Sequence, residues 1–261
     1  MNARRLASTV MPPAVFGLVF LLAWEAVVKG FDLKPFFLPA PSAIWSAFAD
    51  NADLVRRAAF VSGTNALVGL IAGTLLGIAM SFLLMRFNVL NELVSPLAVA
   101  LNAIPIVVLV AVFQNMYPST SELPRRLMVM LIVFFIVLTN VAKGLRQVHA
   151  THLELMRSYA ASPVEILVKT RIPNALPYLF TALKIAAPTA VITAFVSEYF
   201  GGRQNGLGYF IPSNFASSRT EVAWAYVIGA CLLGLVFYLV SIALENITIH
   251  RRGAAPGGAT P

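Results

Sequence analysis

Six apolar runs, each close to the length that crosses a lipid bilayer, constrain this chain more than any other feature of its sequence. A helix rises about 1.5 Å per residue, so roughly 20 apolar residues span the hydrocarbon core. The runs cover residues 12–30, 61–85, 93–116, 126–145, 178–199 and 222–246. Only 11% of the 261 residues are charged, whereas soluble domains carry about 25%. The sequence therefore predicts an all-α integral membrane protein with about six transmembrane helices.

The two ends of the chain are predicted to differ. The first run follows a basic start, as the core of a secretory signal would, but no A-x-A-like cleavage site comes after it, so we expect a retained span. Residues 1–252 are expected to form the transmembrane domain. Residues 253–261 are rich in glycine, alanine and proline, which predicts a disordered tail. The one cysteine, Cys231, lies in an apolar run and predicts no metal cluster.

Basic residues indicate which side of the membrane each loop occupies. The net charge is +8, and Lys and Arg concentrate at cytoplasmic membrane edges, so we expect contact with lipid and none with nucleic acid. Five basic residues lie in the loop 143–171, which favours a cytoplasmic position for this loop and for both termini. On the opposite side, LPAPSAIWSAF predicts a short interfacial helix, capped by Ser42 and with Trp45 at headgroup depth.

Small residues in the second run predict a close contact between helices. Gly69, Gly73 and Gly77 recur every four residues, which lines one side of a helix with a groove. A moving seam and ordinary helix packing both fit this pattern.

Polar residues and prolines inside or beside the runs are candidates for a translocation pathway. These candidates are Asn102, Pro105, Asn140, Glu198, Gln204 and Asn205. Glu198 stands beside a Gly-Gly turn at a membrane edge, where it could be well solvated. For Glu198, a structural hydrogen-bonding or hinge role is the alternative to a direct role in transport.

A polar segment between the fourth and fifth runs is predicted to form two short helices joined by a turn. The first helix places Leu153, Met156 and Ala160 on one face. Glu154 and Arg157 lie on another side, three residues apart, as an exposed ion pair would.

The second short helix has a well-specified start. The sequence SPVE at 162–165 is a capping box with proline at the first helical position, so the helix is predicted to begin at Pro163 and to end at Pro173. Its apolar stripe comprises Val164, Leu167 and Val168. So short a helix is marginal on its own, and it either rests on its own bundle or inserts into a partner.

The same segment resembles the loop shared by the permeases of ABC importers. The family pattern is E-A-A, three residues, glycine, nine residues, then I-x-L-P. On this chain the pattern falls on Glu154, Ala160, Thr170, Ile172 and Pro173. E-A-A is Glu-Leu-Met here, and threonine replaces isoleucine. Alanine replaces the glycine, which predicts that this position does not need a glycine-only backbone.

Two further stretches resemble the nitrate, taurine and aliphatic-sulfonate group of this family, namely FFLPAPSAIWSAF and SEYFGGRQNGLGYFI. The resemblance covers most of residues 31–246 and implies a type I ABC importer permease fold, with a cytoplasmic coupling helix between spans four and five. The coupling residues that it implies are Glu154, Arg157, Ser158, Ala160, Ala161, Ser162, Pro163, Val164, Glu165, Leu167, Val168, Arg171 and Pro173.

The resemblance also implies a function and a set of partners. The chain would be the membrane-spanning permease subunit of an ATP-driven importer in the bacterial inner membrane, carrying a small solute of the nitrate, sulfonate or taurine type or a heterocyclic vitamin precursor. Its partners would be a cytoplasmic ABC ATPase dimer, a second permease chain, identical or paralogous, and an extracytoplasmic solute-binding protein. No G-x4-G-K-S/T motif occurs, so we expect no enzyme activity and no cofactor or metal on this chain, with ATP and Mg on the ATPase.

Two other classes of protein fit less well. A secondary transporter or channel working without ATP needs ionisable residues well inside several spans, and this chain has few. A membrane enzyme needs a convergent catalytic set, and none is evident: the histidines His149, His152 and His250 do not have the spacing of metal ligands.

Overall fold

The computed structural model describes residues 3–87, 89–90, 92–94, 96, 104–201 and 203–253, and the elements within these ranges are helical. The helices are α1 (Ala3–Gly30), α2 (Pro41–Asp50), α3 (Ala52–Arg86), α4 (Ile106–Met116), α5 (Leu123–Arg146), α6 (Ala150–Ser158), α7 (Pro163–Ile166), α8 (Ile172–Tyr199), α9 (Leu207–Ala216) and α10 (Thr220–Gly253). A π-helical turn, Leu167–Arg171, joins α7 directly to α8.

Within these ranges, five helical segments are long and apolar enough to cross a membrane. They are Met11–Gly30, Ala52–Arg86, Leu123–Arg146, Pro163–Tyr199 and Thr220–Thr248, and they contain five of the six predicted spans. The predicted third span, 93–116, is described only in part. Its described part contains α4, which has 11 residues and is too short to span alone. Residues 97–103, with the candidate Asn102, lie outside the described residues, as do residues 254–261 of the predicted tail.

The chain divides into two compact units, and the first comprises residues 1–57 and 210–229. In this unit α2 begins at Pro41 after Ala40, so Ser42 is not the N-cap that the sequence predicts. Ser42 instead donates its N–H and its hydroxyl to the Glu25 carboxylate of α1, at 3.0 and 2.6 Å. A carboxylate from another helix thus satisfies the start of α2. Trp45 is exposed, as an interfacial position requires.

The second unit comprises residues 58–209 and 230–261. Its core lies where α5 packs between α3 and α8. A ridge of buried valines runs along α5 at every fourth residue, at Val129, Val133, Val137 and Val141. A matching row of buried alanines runs along α8, at Ala182, Ala186, Ala190 and Ala194. Rows at this spacing interdigitate when two helices pack closely.

Three glycines of α3 line the other side of the valine ridge. A Cβ added to Gly73 would lie 2.5 Å from the Met130 carbonyl oxygen, and one added to Gly77 would lie 2.9 Å from the Val137 Cβ. A Cβ at Gly69 would likewise collide with Val129. The absence of side chains at these positions is what lets α3 approach the backbone of α5.

Candidate coupling site

The hairpin of α6 and α7 turns at a residue with a left-handed backbone. Ala160 has φ 51°, its N–H donates to the Arg157 carbonyl at 2.9 Å, and the Ala161 N–H donates to the Met156 carbonyl at 3.0 Å. These two bonds close a Schellman motif, which usually has glycine at the left-handed position. Contrary to the expectation that this position does not need a glycine-only backbone, it has the left-handed backbone that favours glycine, and alanine adopts it at a steric cost.

The start of α7 follows the capping pattern in its sequence. Ser162 is the N-cap, and its hydroxyl accepts from the Glu165 N–H at 3.3 Å. The Glu165 carboxylate accepts in return from the Ser162 N–H at 2.9 Å. Lys169 pairs with Glu165 at 3.1 Å. With Pro163 at the first helical position, these local bonds fix where α7 begins.

Pro173 does not end this helix, contrary to the prediction from sequence. The chain continues from α7 through the π turn into α8, and the Ile172 N–H bonds the Leu167 carbonyl five residues back. Proline lacks an N–H and its ring clashes with the carbonyl four residues back in a regular α-helix. Here a wider π turn directly precedes Pro173, and the helix continues through it with an irregular turn rather than a break.

The hairpin presents apolar side chains to its surroundings. Leu155, Tyr159, Val164 and Val168 are 51%, 75%, 68% and 55% exposed, and we call these four residues the docking patch. Leu167, the third member of the predicted stripe, is half-buried. Exposed charged residues are interspersed with the patch, including Glu154, Arg157 and Glu165. Apolar groups mixed with charges in this way suit a protein partner better than lipid hydrocarbon.

The predicted pairing of Glu154 with Arg157 does not form: both side chains are exposed, and no ion pair within 4 Å joins them. The other predicted coupling residues lie close by on the hairpin. Ser158 donates its hydroxyl to the Leu155 carbonyl at 2.7 Å, which helps to close the last turn of α6.

Side chains from the segment after the hairpin cap the end of α5. The guanidinium of Arg171 donates to the Leu145 carbonyl at 2.9 Å, and the Asn174 amide donates to the Gly144 carbonyl at 2.7 Å. Arg146, the last residue of α5, donates to the Leu84 carbonyl near the end of α3 at 2.7 Å. Arg146 and Asn174 were not predicted as functional residues from the sequence. The sequence feature that could have identified them is a basic or amide side chain close to a predicted helix C-terminus, where it can bond the last carbonyls.

At the opposite end of α5 lies a polar cluster, which we define as Asn65, Glu122, Arg125, Arg203 and Asn205. Glu122 accepts from Asn65 at 2.9 Å, from Arg125 at 2.8 Å and from Asn205 at 2.7 Å. Arg125 is completely buried and also donates to Asn205 at 2.7 Å and to the Arg203 carbonyl. Burial acts to raise the pKa of Glu122, but these donors and the Arg125 charge outweigh it and lower that pKa. The cluster ties the 203–205 loop to α3 and α5.

Glu198 is only 1% exposed, so it is not solvated at a membrane edge. Its carboxylate accepts from the Ser62 hydroxyl at 2.7 Å and from the Gly208 N–H at 3.1 Å, and Ser62 in turn accepts from the Leu207 N–H at 3.0 Å. Glu198 and Ser62 together therefore satisfy the first N–H groups of α9. Gly206 packs so closely on this carboxylate that a Cβ there would overlap it.

The remaining pathway candidates do not converge on one site among the described residues. Asn205 belongs to the polar cluster, while Gln204 beside it is exposed. Asn140 bonds the Ile136 carbonyl of its own helix at 2.8 Å. Pro105 precedes the first residue of α4. No group of three or more His, Cys, Asp or Glu side chains suited to a metal occurs among the described residues.

Comparison with known proteins identifies the family. Residues 69–252 match the family of binding-protein-dependent transport system inner membrane components, which is well over half of the chain. The chain belongs to this family. It is a membrane-spanning permease subunit of an ABC importer, located in the inner membrane, and is not itself the ATPase.

Known relatives match the sequence of this chain along most of their own length. The formylaminopyrimidine transport permease ThiX of Halalkalibacterium halodurans is 28% identical over 93% of this chain and 96% of its own. The nitrate import permease NrtB of Synechocystis sp. is 24% identical over 92% and 90%, and the taurine permease TauC of Escherichia coli is 23% identical over 88% and 84%. These relatives confirm the nitrate- and taurine-type subgroup.

A solved structure shows the same fold. A chain of the MetNI methionine ABC transporter, crystallised in an inward-facing conformation, superposes with a TM-score of 0.59 at 20% identity. The match covers 73% of this chain and 95% of that one. The type I permease fold expected from the sequence is confirmed.

Proposed function

We propose that the α6–α7 hairpin of this permease docks on a separate cytoplasmic ATPase and receives the movement that ATP binding produces there. The observation that carries the proposal is the docking patch, which is apolar, exposed and interspersed with charges. The hairpin that presents it is held in one shape by a Schellman motif and a capping box. A preformed surface of this kind suits a partner's groove, because little conformational entropy is lost on binding.

The ATPase is proposed to supply ATP and Mg, because no phosphate-binding motif occurs in this sequence. ATP would close an ATPase dimer and shift the permease between two states, which requires the hairpin to interact differently with the dimer in each state. The hairpin residues that the resemblance implies are proposed as the contact, with Pro163 to Pro173 as the inserted limb.

A second permease chain, identical or paralogous, is proposed to complete the pathway, and an extracytoplasmic binding protein to deliver the solute. The low burial of two of the spans supports a second chain or lipid around them. In the spans of α1 and α10 only 6% and 11% of the residues are buried, so both helices present most of their surface outward.

The proposed orientation places the hairpin and both termini in the cytoplasm. Five basic residues in the 143–171 loop support this orientation. The polar cluster lies at the end of α5 away from the hairpin and is therefore proposed to face outward. Residues 1–252 are proposed to form the membrane domain.

The transported solute is proposed to be a small polar molecule, either an anion of the nitrate, taurine or sulfonate type or a heterocyclic vitamin precursor. The names of the relatives support these classes. The contacts of Glu198 favour a structural role at the start of α9 over solute binding. Asn140, Gln204 and Pro105 remain pathway candidates.

The docking proposal is tested with Val164→Asp, which places a charge on a side chain that is 68% exposed. The variant should lose copurification with the coexpressed ATPase and stimulation of ATP hydrolysis, while the permease still inserts and folds. A matched control is Phe36→Asp, which is 73% exposed in the loop before α2 and should retain both. Normal assembly and ATPase stimulation in Val164→Asp would overturn the proposal. Solute uptake into vesicles that lack any ATPase would instead favour a secondary transporter.

A further inference from the structure

The C-terminal carbonyls of α5 are satisfied from outside the helix. The last carbonyls of any helix have no intrahelical donor and need another partner. Here Arg171 donates to the Leu145 carbonyl. Asn174 donates to the Gly144 carbonyl and, at 3.2 Å, to the Gln147 carbonyl. All three acceptors are at the end of α5, and both donors come from the chain just beyond the docking patch.

We propose that Arg171 and Asn174 are positioning residues that fasten the α7 side of the hairpin to the end of α5, so that α5 follows every movement of the hairpin. The inference rests on the proposed function, because it presupposes that an ATPase moves the hairpin. It assigns to these two side chains a role within this chain, which for Arg171 comes in addition to the ATPase contact that the resemblance implies.

The π turn explains why a fastening is needed at this place. Residues 167–171 separate Val164 and most of the α7 limb from the packed part of α8, and an irregular turn is where a long helix bends most readily. If the turn flexed, movement of the docking patch would be absorbed there. The Arg171 bond holds the turn itself to α5, and Asn174 holds the first turn of α8.

Close packing of α5 against α8 adds to these hydrogen bonds. A Cβ at Gly144 would lie 2.8 Å from the Ala175 Cα and from the Tyr178 ring, so α5 and α8 touch backbone to backbone at this level. The Tyr178 hydroxyl also donates to the Gln147 side chain at 3.2 Å. No room exists here for independent sliding of the two helices.

Arg146 extends the same arrangement to α3. Its guanidinium donates to the Leu84 carbonyl near the end of α3. Arg146 directly follows Leu145, whose carbonyl accepts from Arg171. The hairpin limb, α5 and α3 are thus joined in series by two arginine caps. The inference is that these three elements move together when the ATPase closes.

The experiment measures a distance within this chain, which requires no knowledge of the solute. In a Cys231→Ser background, nitroxide labels are placed at Thr151 on the hairpin and Leu123 at the far end of α5, both exposed. The complex with its ATPase is reconstituted in nanodiscs, and the distance distribution is recorded with and without ATP. In the parent complex the distribution should stay narrow and unchanged by ATP.

The double variant Arg171→Met, Asn174→Asp removes both side-chain donors, because methionine and an ionised aspartate have no N–H to donate. Losing one charge-assisted bond changes an equilibrium by about tenfold, so the fraction outside the parent distribution should rise about tenfold with ATP. Arg171→Lys should restore part of the parent behaviour. The control Arg86→Gln removes a charge at the same end of α3 without removing a carbonyl cap and should match the parent.

The outcomes distinguish failure of the positioning role from failure of the docking function. If the double variant binds the ATPase and its distance stays as fixed as in the parent, the positioning role is wrong and the docking function stands. If the parent binds no ATPase, the docking function is wrong and the positioning role falls with it. A parent distance that itself changes with ATP would also overturn the positioning role, because the hairpin would then move without α5.

Discussion

Replacing Ala160 with glycine should make the hairpin more stable, although glycine usually weakens helical structure. Ala160 holds φ 51°, where the Cβ of an L-residue crowds the following carbonyl and costs about 1–2 kcal/mol. Glycine removes that cost but has more backbone freedom to lose, which opposes the gain by about 0.5–1 kcal/mol. The net stabilisation of the Schellman turn is therefore about 0.5–1 kcal/mol, or a factor of about 2–5 in the local opening equilibrium.

Hydrogen exchange of the peptide that spans the turn measures this directly. The amides of residues 160 and 161 close the two bonds of the motif, so their exchange follows opening of the turn. Exchange of these amides in Ala160→Gly should slow by about 2–5-fold. The matched control is Ala161→Gly, one residue along, where φ is not positive and glycine brings only the entropic cost. That variant should exchange faster than the parent.

The opposite signs at two adjacent alanines make the test strict. A general loosening of the hairpin by glycine would speed exchange in both variants, and faster exchange in Ala160→Gly would refute the reasoning from the left-handed backbone. Slower exchange in Ala160→Gly would show that this chain tolerates local backbone strain at Ala160 in the hairpin.

Three further predictions concern other parts of the chain. Ser162→Ala removes the capping hydroxyl and should cost α7 about 1 kcal/mol, seen as faster exchange of the Glu165 amide; unchanged exchange would mean that the cap contributes nothing. Gly73→Ala should lower the melting temperature, because its Cβ would lie 2.5 Å from the Met130 carbonyl oxygen and overpacking costs about 1–3 kcal/mol. The control Gly234→Ala, with nothing within 4 Å, should leave it unchanged. Equal effects of the two variants would contradict the close packing of α3 on α5. The pKa of Glu122 is lowered in the folded protein, so its carboxylate contributes fully to stability at a pH above its ordinary pKa of 4.5. This contribution is lost as the pH falls through the lowered pKa of the folded state. The melting difference between the parent and Glu122→Gln should therefore shrink in acid, and a difference that grew in acid would contradict the assignment.

Local chemistry explains which parts of the structure the sequence could predict. The start of α7 depends on four consecutive residues, 162–165, and their bonds form as their pattern predicts. The long apolar runs likewise produce spans because their length alone matches the bilayer. Pro173 was misjudged because proline usually ends a helix, and only the preceding turn reveals how the chain avoids the clash.

Contacts between distant residues could not be predicted in the same way. Glu198 lies beside a glycine pair in the sequence, which suggests exposure, but Ser62, 136 residues away, and Gly208 bury its carboxylate. Arg125 sits at the start of an apolar run, where a solvated charge is expected, but it is completely buried and its guanidinium bonds the 203–205 loop. In both cases the deciding partner comes from another segment, and a single sequence holds no record of the pairing.

These long-range contacts give α5 a particular position in the second unit. One end of α5 is held by the caps from Arg171 and Asn174, and the other end by the polar cluster around Glu122. Between them the valine ridge is packed so tightly against α3 and α8 that no side chain fits at Gly73 or Gly77. A helix fixed at both ends and packed without gaps transmits displacement better than it absorbs it. The loop at 203–205 is therefore expected to respond to changes at the hairpin through α5, and loosening either end should weaken that response.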